Sequence, residues 1–285
     1  SDTKGQKNVA IGNSALQNQN FTTATDVYNV AVGFEAGLTV TTGKRNTFVG
    51  GLSGDSTTTT SDNTSVGYLA LSAASGGTST AVGAGALQSA TGFDNTAMGY
   101  NAGSSVTSGD NNLLLGHDAG LTGSPGGIVS TNNNVLVLGD ENIAQAFTQV
   151  SISATSDERD KTDFVGLDLG LDFVKALEPV TYYWDKRSKY GDKYADDYDL
   201  NAQTPDGTHK EDWMDVGFKA QSVQTLEEAA GYKVSDKKNL TVTLSEDGKQ
   251  YGLKYERFIP ILVKAIQDQD AIITSLTARV AALES

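Results

Sequence analysis

Asn63-Thr-Ser-Val-Gly67, Ser79-Thr-Ala-Val-Gly83 and Asn95-Thr-Ala-Met-Gly99 are three copies of one phrase: a polar residue, two small or apolar ones, an aliphatic one, then glycine. Upstream it reads Asn8-Val-Ala-Ile-Gly12, Asn29-Val-Ala-Val-Gly33 and Asn46-Thr-Phe-Val-Gly50, and downstream Asn112-Leu-Leu-Leu-Gly116 and a degenerate Val135-Leu-Val-Leu-Gly139. The steps from glycine to glycine are 21, 17, 17, 16, 16, 17 and 23 residues. A second phrase follows the glycine, as in Asn13-Ser-Ala-Leu16, Tyr68-Leu-Ala-Leu71, Ala84-Gly-Ala-Leu87 and Tyr100-Asn-Ala-Gly103. A fixed period of this kind is the signature of a repeat architecture.

A period of 16–17 residues is too short for a helix pair and suits one coil of a parallel β-solenoid. Each coil is expected to hold a short strand, a glycine-assisted corner and a second short strand. Coils stack at about 4.8 Å, so eight make a rod roughly 40 Å long. The aliphatic residue before the glycine is expected to stack inward, and the recurrent Asn to form a side-chain ladder from coil to coil. Such a core is thin, whereas ordering the backbone costs about 1–2 kcal/mol per residue. A lone solenoid chain therefore looks marginal, and several chains sharing a core would solve this.

Composition divides the chain. Residues 1–155 carry 14 charged side chains, residues 156–285 carry 42, and both Trp and eight of the eleven Tyr fall in the second part. The expected organisation is mainly β: a solenoid repeat domain over 1–150, a small α+β domain over 151–258 and a C-terminal coiled-coil helix over 259–285. Net charge is −14, which argues against binding a phosphate backbone. With no Cys and only two His, neither a disulfide framework nor a metal site is expected, and no cofactor. His117 reads as a polar coil position. No apolar run of 18 residues exists, so membrane insertion is not expected. The start at Ser1, without Met or a signal pattern, suggests a processed chain or a fragment.

In the second part, Leu167–Leu177 is broadly helical and stopped by Pro179. Val180–Asp185 and Asp215–Gln221 read as strands, Ser222–Ala230 as a helix, and Leu240–Leu244 with Gln250–Tyr255 as a hairpin around Glu246-Asp-Gly248. Ile259, Leu262, Ile266, Gln269, Ile273, Leu276, Val280 and Leu283 keep a 3–4 spacing over about four heptads, the pattern of a coiled coil. Its β-branched a and Leu d positions favour dimers in isolation.

The stretch Thr155-Ser156-Asp157-Glu158-Arg159-Asp160-Lys161 supports two readings. One is a charged linker, with Ser156 as a helix cap and acids in the first turn. The other is a Ser–Lys nucleophilic pair, in which the lysine is the base the hydroxyl needs. On a regular helix the two side chains would stand about 140° apart, so a turn between them is required.

Residues 8–143 resemble the head repeats of trimeric autotransporter adhesins and of phage tail-fibre proteins, which implies a trimeric β-roll. Ser156-Asp157-x-Arg159-x-Lys161, Leu177-x-Pro179-Val-x-Tyr-x-Trp184, Gly217-Phe-x-Ala-Gln221 and Leu253-x-Tyr255 resemble the intramolecular chaperone auto-processing domain of phage endosialidases, tail spikes and tail fibres. This second resemblance covers residues 156–285. It implies a domain that drives assembly of a homotrimeric fibre and then acts once, in cis, as a serine endopeptidase. Ser156 is then the nucleophile, Lys161 its base and Thr155–Ser156 the scissile bond, with Asp157, Arg159 and Gln221 in support. Asp160 departs from the family pattern, since a carboxylate beside Lys161 stabilises its protonated form. The implied setting is a virion tail fibre, extracellular, assembled in the host cytoplasm and joined to other tail proteins at its N-terminus. Its partner would be a host-surface receptor, a glycan or an outer-surface protein. Receptor contact is expected at the variable stretches 54–61 and 106–111. Two other readings rank lower. A bacterial surface adhesin needs a membrane anchor, and a polysaccharide-cleaving solenoid needs clustered carboxylates where residues 1–155 have ten scattered acids.

Overall fold

A computed structural model describes residues 4–195 and 197–284. The repeat phrases form strands of three residues: β2 (Val9–Ile11), β4 (Val30–Val32), β5 (Thr47–Val49), β6 (Thr64–Val66), β7 (Thr80–Val82), β8 (Thr96–Met98), β9 (Leu113–Leu115) and β10 (Leu136–Leu138). They pair in parallel, in sequence order and without slippage, as one eight-stranded sheet. Val32, Val49, Val66 and Val82, for example, occupy one register line. A short parallel pair, β1 (Gly5–Gln6) with β3 (Thr25–Asp26), precedes it.

The direction of the side chains corrects the sequence reading. The aliphatic residue before the glycine does not face inward. The middle strand residue does: Ala31, Phe48, Ser65, Ala81, Ala97 and Leu114 are fully buried. Alternate residues of a strand point to opposite faces, so the aliphatic column Ile11, Val32, Val49, Val66, Val82, Met98, Leu115, Leu138 lies on the outer face. Ile11 is 60% exposed, Met98 51% and Leu138 59%. The other side of each coil is also not a second strand. It is a run of turns held coil to coil by backbone bonds such as Leu71 N to Ala86 O and Leu87 N to Ala102 O. Leu71 and Leu87 sit there at positive φ, which a strand cannot accommodate.

The core fills by exchange of volume between positions. Where no large buried strand residue is near, a Leu closes the coil, as Leu71 does for Ser65 and Leu87 for Ala81. Next to a large one, in the same coil or the adjoining one, glycine replaces that Leu. A Cβ on Gly54 or Gly37 would meet the Phe48 ring at 2.4 or 2.8 Å, and one on Gly103 or Gly120 would meet Leu114 at 2.6 or 2.9 Å. Corner glycines have a different constraint. Gly83 has φ +132°, and a Cβ there would lie 2.3 Å from the carbonyl oxygen of Gly99 in the next coil. The expected Asn ladder is present and buried. The side-chain oxygen of each rung accepts the backbone N–H of the next: Asn29 to Asn46 at 2.9 Å, Asn46 to Asn63 at 3.0 Å, Asn63 to Ser79 at 3.1 Å, Asn95 to Asn112 at 3.0 Å. Ser79 carries the ladder through its hydroxyl, which accepts from Asn95 N at 3.3 Å.

By contacts the chain forms two compact units. The first contains residues 1–144, but also 186–205 and 245–250 from beyond the change in composition. In this unit Lys193 lies 2.8 Å from Asp118 and 2.7 Å from Glu141, while Tyr194 donates to Asp118 at 2.6 Å. Glu246 accepts from the backbone N–H of Ser130 and Thr131 and from the Thr131 hydroxyl. Burial pushes the Glu246 carboxyl up, but these hydrogen bonds outweigh it and hold the group below the usual glutamate range.

The second unit is α+β. It contains α1 (Leu171–Ala176), β11 (Val180–Tyr182), β12 (Asp215–Gly217), α2 (Ala220–Ala229), β13 (Val242–Leu244), β14 (Tyr251–Leu253) and α3 (Phe258–Glu284). β11 pairs with β12 and β13 with β14, both antiparallel. The core is Leu169, Phe173, Val223, Val242, Phe258 and Ile261. Buried Glu227 of α2 accepts from the backbone N–H of Thr241 at 2.7 Å and of Leu240 at 3.1 Å. It thereby joins helix to hairpin, and each of its buried oxygens has a donor. Asp268 of α3 accepts from Leu171 N at 3.1 Å, satisfying a free donor at the start of α1.

Candidate self-processing site and exposed seams

One turn of 3₁₀ helix, Glu158–Asp160, supplies the reversal that the Ser156–Lys161 spacing requires. Asp157 caps it. Its Oδ1 accepts from Arg159 N at 2.9 Å and Nε at 3.0 Å, and its Oδ2 from the guanidinium at 2.6 Å. That guanidinium holds the Asp157 carboxyl below the usual range. Lys161 then leaves the turn in extended conformation. Its Nζ donates to Ser156 Oγ at 2.6 Å and to Ser156 O at 3.2 Å. Five residues thus bring a hydroxyl and an amine into contact, within the range a nucleophile and its base require. Among the described residues Lys161 makes no ion pair with Asp160 or any other acid. Thr155, Ser156 and Lys161 are all exposed. Gln221 lies in the first turn of α2, exposed, and bonds neither Ser156 nor Lys161 among the described residues.

Oγ of Ser156 and the Thr155 carbonyl carbon can close a five-membered ring through Cβ, Cα and N, so attack needs no second backbone segment. Cleavage of the Thr155–Ser156 bond by this pair would be an N-to-O acyl shift: Oγ would bond the Thr155 carbonyl carbon and pass its proton to the Lys161 amine, the C–N bond would break with the Ser156 nitrogen taking a proton, and water would hydrolyse the ester.

The heptad positions of α3 are uncovered in the single chain. Ile259, Leu262, Ile266, Ile273, Leu276, Val280 and Leu283 are exposed, while the helix packs on its own unit through Phe258, Ile261 and Ala265. Two faces of one helix are therefore used differently, and the seam is not the intramolecular one. Of the variable stretches, only Thr58 and Thr59 in the first and Thr107, Ser108 and Asn111 in the second are exposed; the rest is taken up by coil contacts.

Residues 156–232 match the family model described as chaperone of endosialidase, and the match opens on Ser156 itself. No curated protein and no solved structure matches the chain. The chain thus combines a segment similar to the endosialidase chaperone with a parallel β-solenoid, an arrangement that fits a tail-fibre-like assembly role.

The sequence reading missed one cluster, His117, Asp118, Asp140 and Glu141 with Lys193. The signal was available: His117 and Asp140 each follow a repeat glycine, so the parallel register stacks them. Asp140 is buried, which raises its pKa, yet Asn142, Lys193 and His117 together bring it below the usual range.

Proposed function

We propose that the chain is the distal part of a homotrimeric virion tail fibre or spike that attaches to a host surface. In this reading the C-terminal region brings three chains together and then cuts the Thr155–Ser156 bond. The observation that carries it is a pair of uncovered apolar stripes on one chain: the aliphatic column of the solenoid and the heptad seam of α3. Fully burying a Val, Leu or Ile is worth about 1.5–3 kcal/mol. Half-exposed residues therefore offer on the order of 1 kcal/mol each, or on the order of 10 kcal/mol per chain over both stripes. That is comparable with the cost of association. Left uncovered, an aliphatic column on a parallel sheet is an aggregation hazard. Three-fold symmetry is taken from the repeat and chaperone resemblances, since solenoid and chaperone must share one symmetry. The seam gathers the chains before the non-local coil contacts form, and Gln269 sets its register.

The cleavage part rests on the 2.6 Å contact between Lys161 Nζ and Ser156 Oγ. A second reading, a permanent uncut cap, is favoured by the exposure of both residues, because water competes for the hydroxyl and the amine in the open. Expression of wild type beside Ser156→Ala, with intact-mass measurement, separates the two. A fragment beginning at Ser156 in wild type only supports self-cleavage. A single full-length species in both leaves the permanent cap. Receptor contact is assigned to the exposed residues of the two variable stretches.

A further inference from the structure

Gly116-His117-Asp118 and Gly139-Asp140-Glu141 occupy the same corner of successive coils, because Leu115 pairs with Leu138. Nδ1 of His117 lies 3.3 Å from Asp118 Oδ2 and 3.3 Å from Asp140 Oδ2. One ligand atom from each of the three residues lies within 4.8 Å of the others. The imidazole is exposed but held, stacked on the Tyr100 ring with centroids 5.3 Å apart. Asp118 and Asp140 are buried, Asp118 to 1% exposure.

Two features separate this cluster from an ordinary acidic patch. The first is unmet bonding capacity. Asp118 Oδ2 accepts from Lys193 and Tyr194, but its Oδ1 is buried with no donor, and so is Oε2 of Glu141. A buried acceptor without a donor is unfavourable. The second is charge. Asp118, Asp140 and Glu141 are all buried, and the cation bridging them is Lys193, bound to Asp118 and Glu141. Three carboxyl groups share Lys193, while the Lys186 ammonium donates to the Glu141 carbonyl oxygen at 2.9 Å, and buried charge is normally paired or coordinated to a metal.

We propose that His117, Asp118 and Asp140 hold a divalent cation at the last corner of the solenoid, with Glu141 beside it. The oxygen of Asp118 that faces His117 is Oδ2, so the ion would share that oxygen with Lys193 and Tyr194. One imidazole nitrogen with carboxylate oxygens suits Zn²⁺ or Mn²⁺ better than Ca²⁺ or Mg²⁺, which favour oxygen-only sets. Three protein ligands leave room for water. The bound ion would tie the final coil to residues 193 and 194, which belong to the same unit.

The test is calorimetric titration of the full chain with Zn²⁺ and, separately, Mn²⁺, together with thermal unfolding in each metal. One site per chain and a rise in melting temperature are expected with at least one metal. His117→Ala removes an exposed ring and should leave the fold intact while weakening binding at least about tenfold. Asp140→Asn should act in the same direction, and His209→Ala, at the other histidine, should change nothing. The proposal is overturned if neither metal binds wild type at about 1 mM, or if binding survives both His117→Ala and Asp140→Asn at wild-type strength.

Discussion

Replacing Asn95 tests the ladder that holds the coils together. Its side chain makes three buried bonds: Oδ1 accepts from Asn112 N at 3.0 Å and Asn112 Nδ2 at 3.1 Å, and Nδ2 donates to Gly109 O at 2.7 Å. Asn95→Ala strands two buried backbone groups, the Asn112 N–H and the Gly109 carbonyl. At about 1–3 kcal/mol for each group left unmet, the loss is ~2–6 kcal/mol per chain. Asn95→Ser is the informative comparison, because Ser79 already occupies this position one coil earlier and accepts through Oγ. Serine keeps an acceptor for Asn112 N and loses only the donor to Gly109, so about half the loss is expected. Guanidinium unfolding at one fixed protein concentration, followed by circular dichroism, reads the difference. If alanine and serine shift the transition equally, or if alanine costs less than about 1 kcal/mol, the ladder does not carry the stability assigned to it.

Three further outcomes follow from the same geometry. Gly83→Ala should lower the melting temperature sharply or abolish soluble product, while Ala84→Gly next to it should be nearly neutral, because at Gly83 the Cβ collides with the backbone of the next coil; paired melting curves decide. The contribution of Glu246 comes from a lowered carboxyl pKa, so it is fully present above the ordinary glutamate value of 4.5 and is lost as pH falls through the lower folded value. The protection of the Ser130 and Thr131 amides, relative to free-peptide exchange at the same pH, should therefore fall as the pH drops below the ordinary glutamate value in wild type, and already be low near neutral pH in Glu246→Gln. Finally, a specific protease site engineered at residues 150–155 should give a cut chain that still elutes as one species under native conditions. Residues 186–205 and 245–250 lie in the unit of the repeats, and separation on cutting alone would contradict that packing.

Much of this architecture is legible in local sequence, for physical reasons that also explain the failures. Glycine at the corner and Asn at the ladder are each required by backbone geometry, so they recur and can be counted. The inward face is different. A three-residue strand offers too few positions to fix a period of two, and Ala97 beside Met98 gives no indication that the smaller residue is the buried one. The choice of Gly over Leu at positions 37 and 103 is decided by Phe48 and Leu114 in the adjoining coil. That information is non-local and appears only once the coils are stacked. Ser156 and Lys161 were legible because five residues and a single turn hold the whole arrangement. Lys193 was not, since its partners Asp118 and Glu141 are more than 50 residues distant.

In the proposed trimer the bare stripes form a shared core, and sedimentation equilibrium of the purified chain at micromolar concentration measures this directly. The expected particle has three times the mass of one chain, or contains three copies of each fragment where Thr155–Ser156 has been cut. A folded, well-behaved particle with the mass of one chain, its aliphatic column and heptad seam in water, would contradict the account.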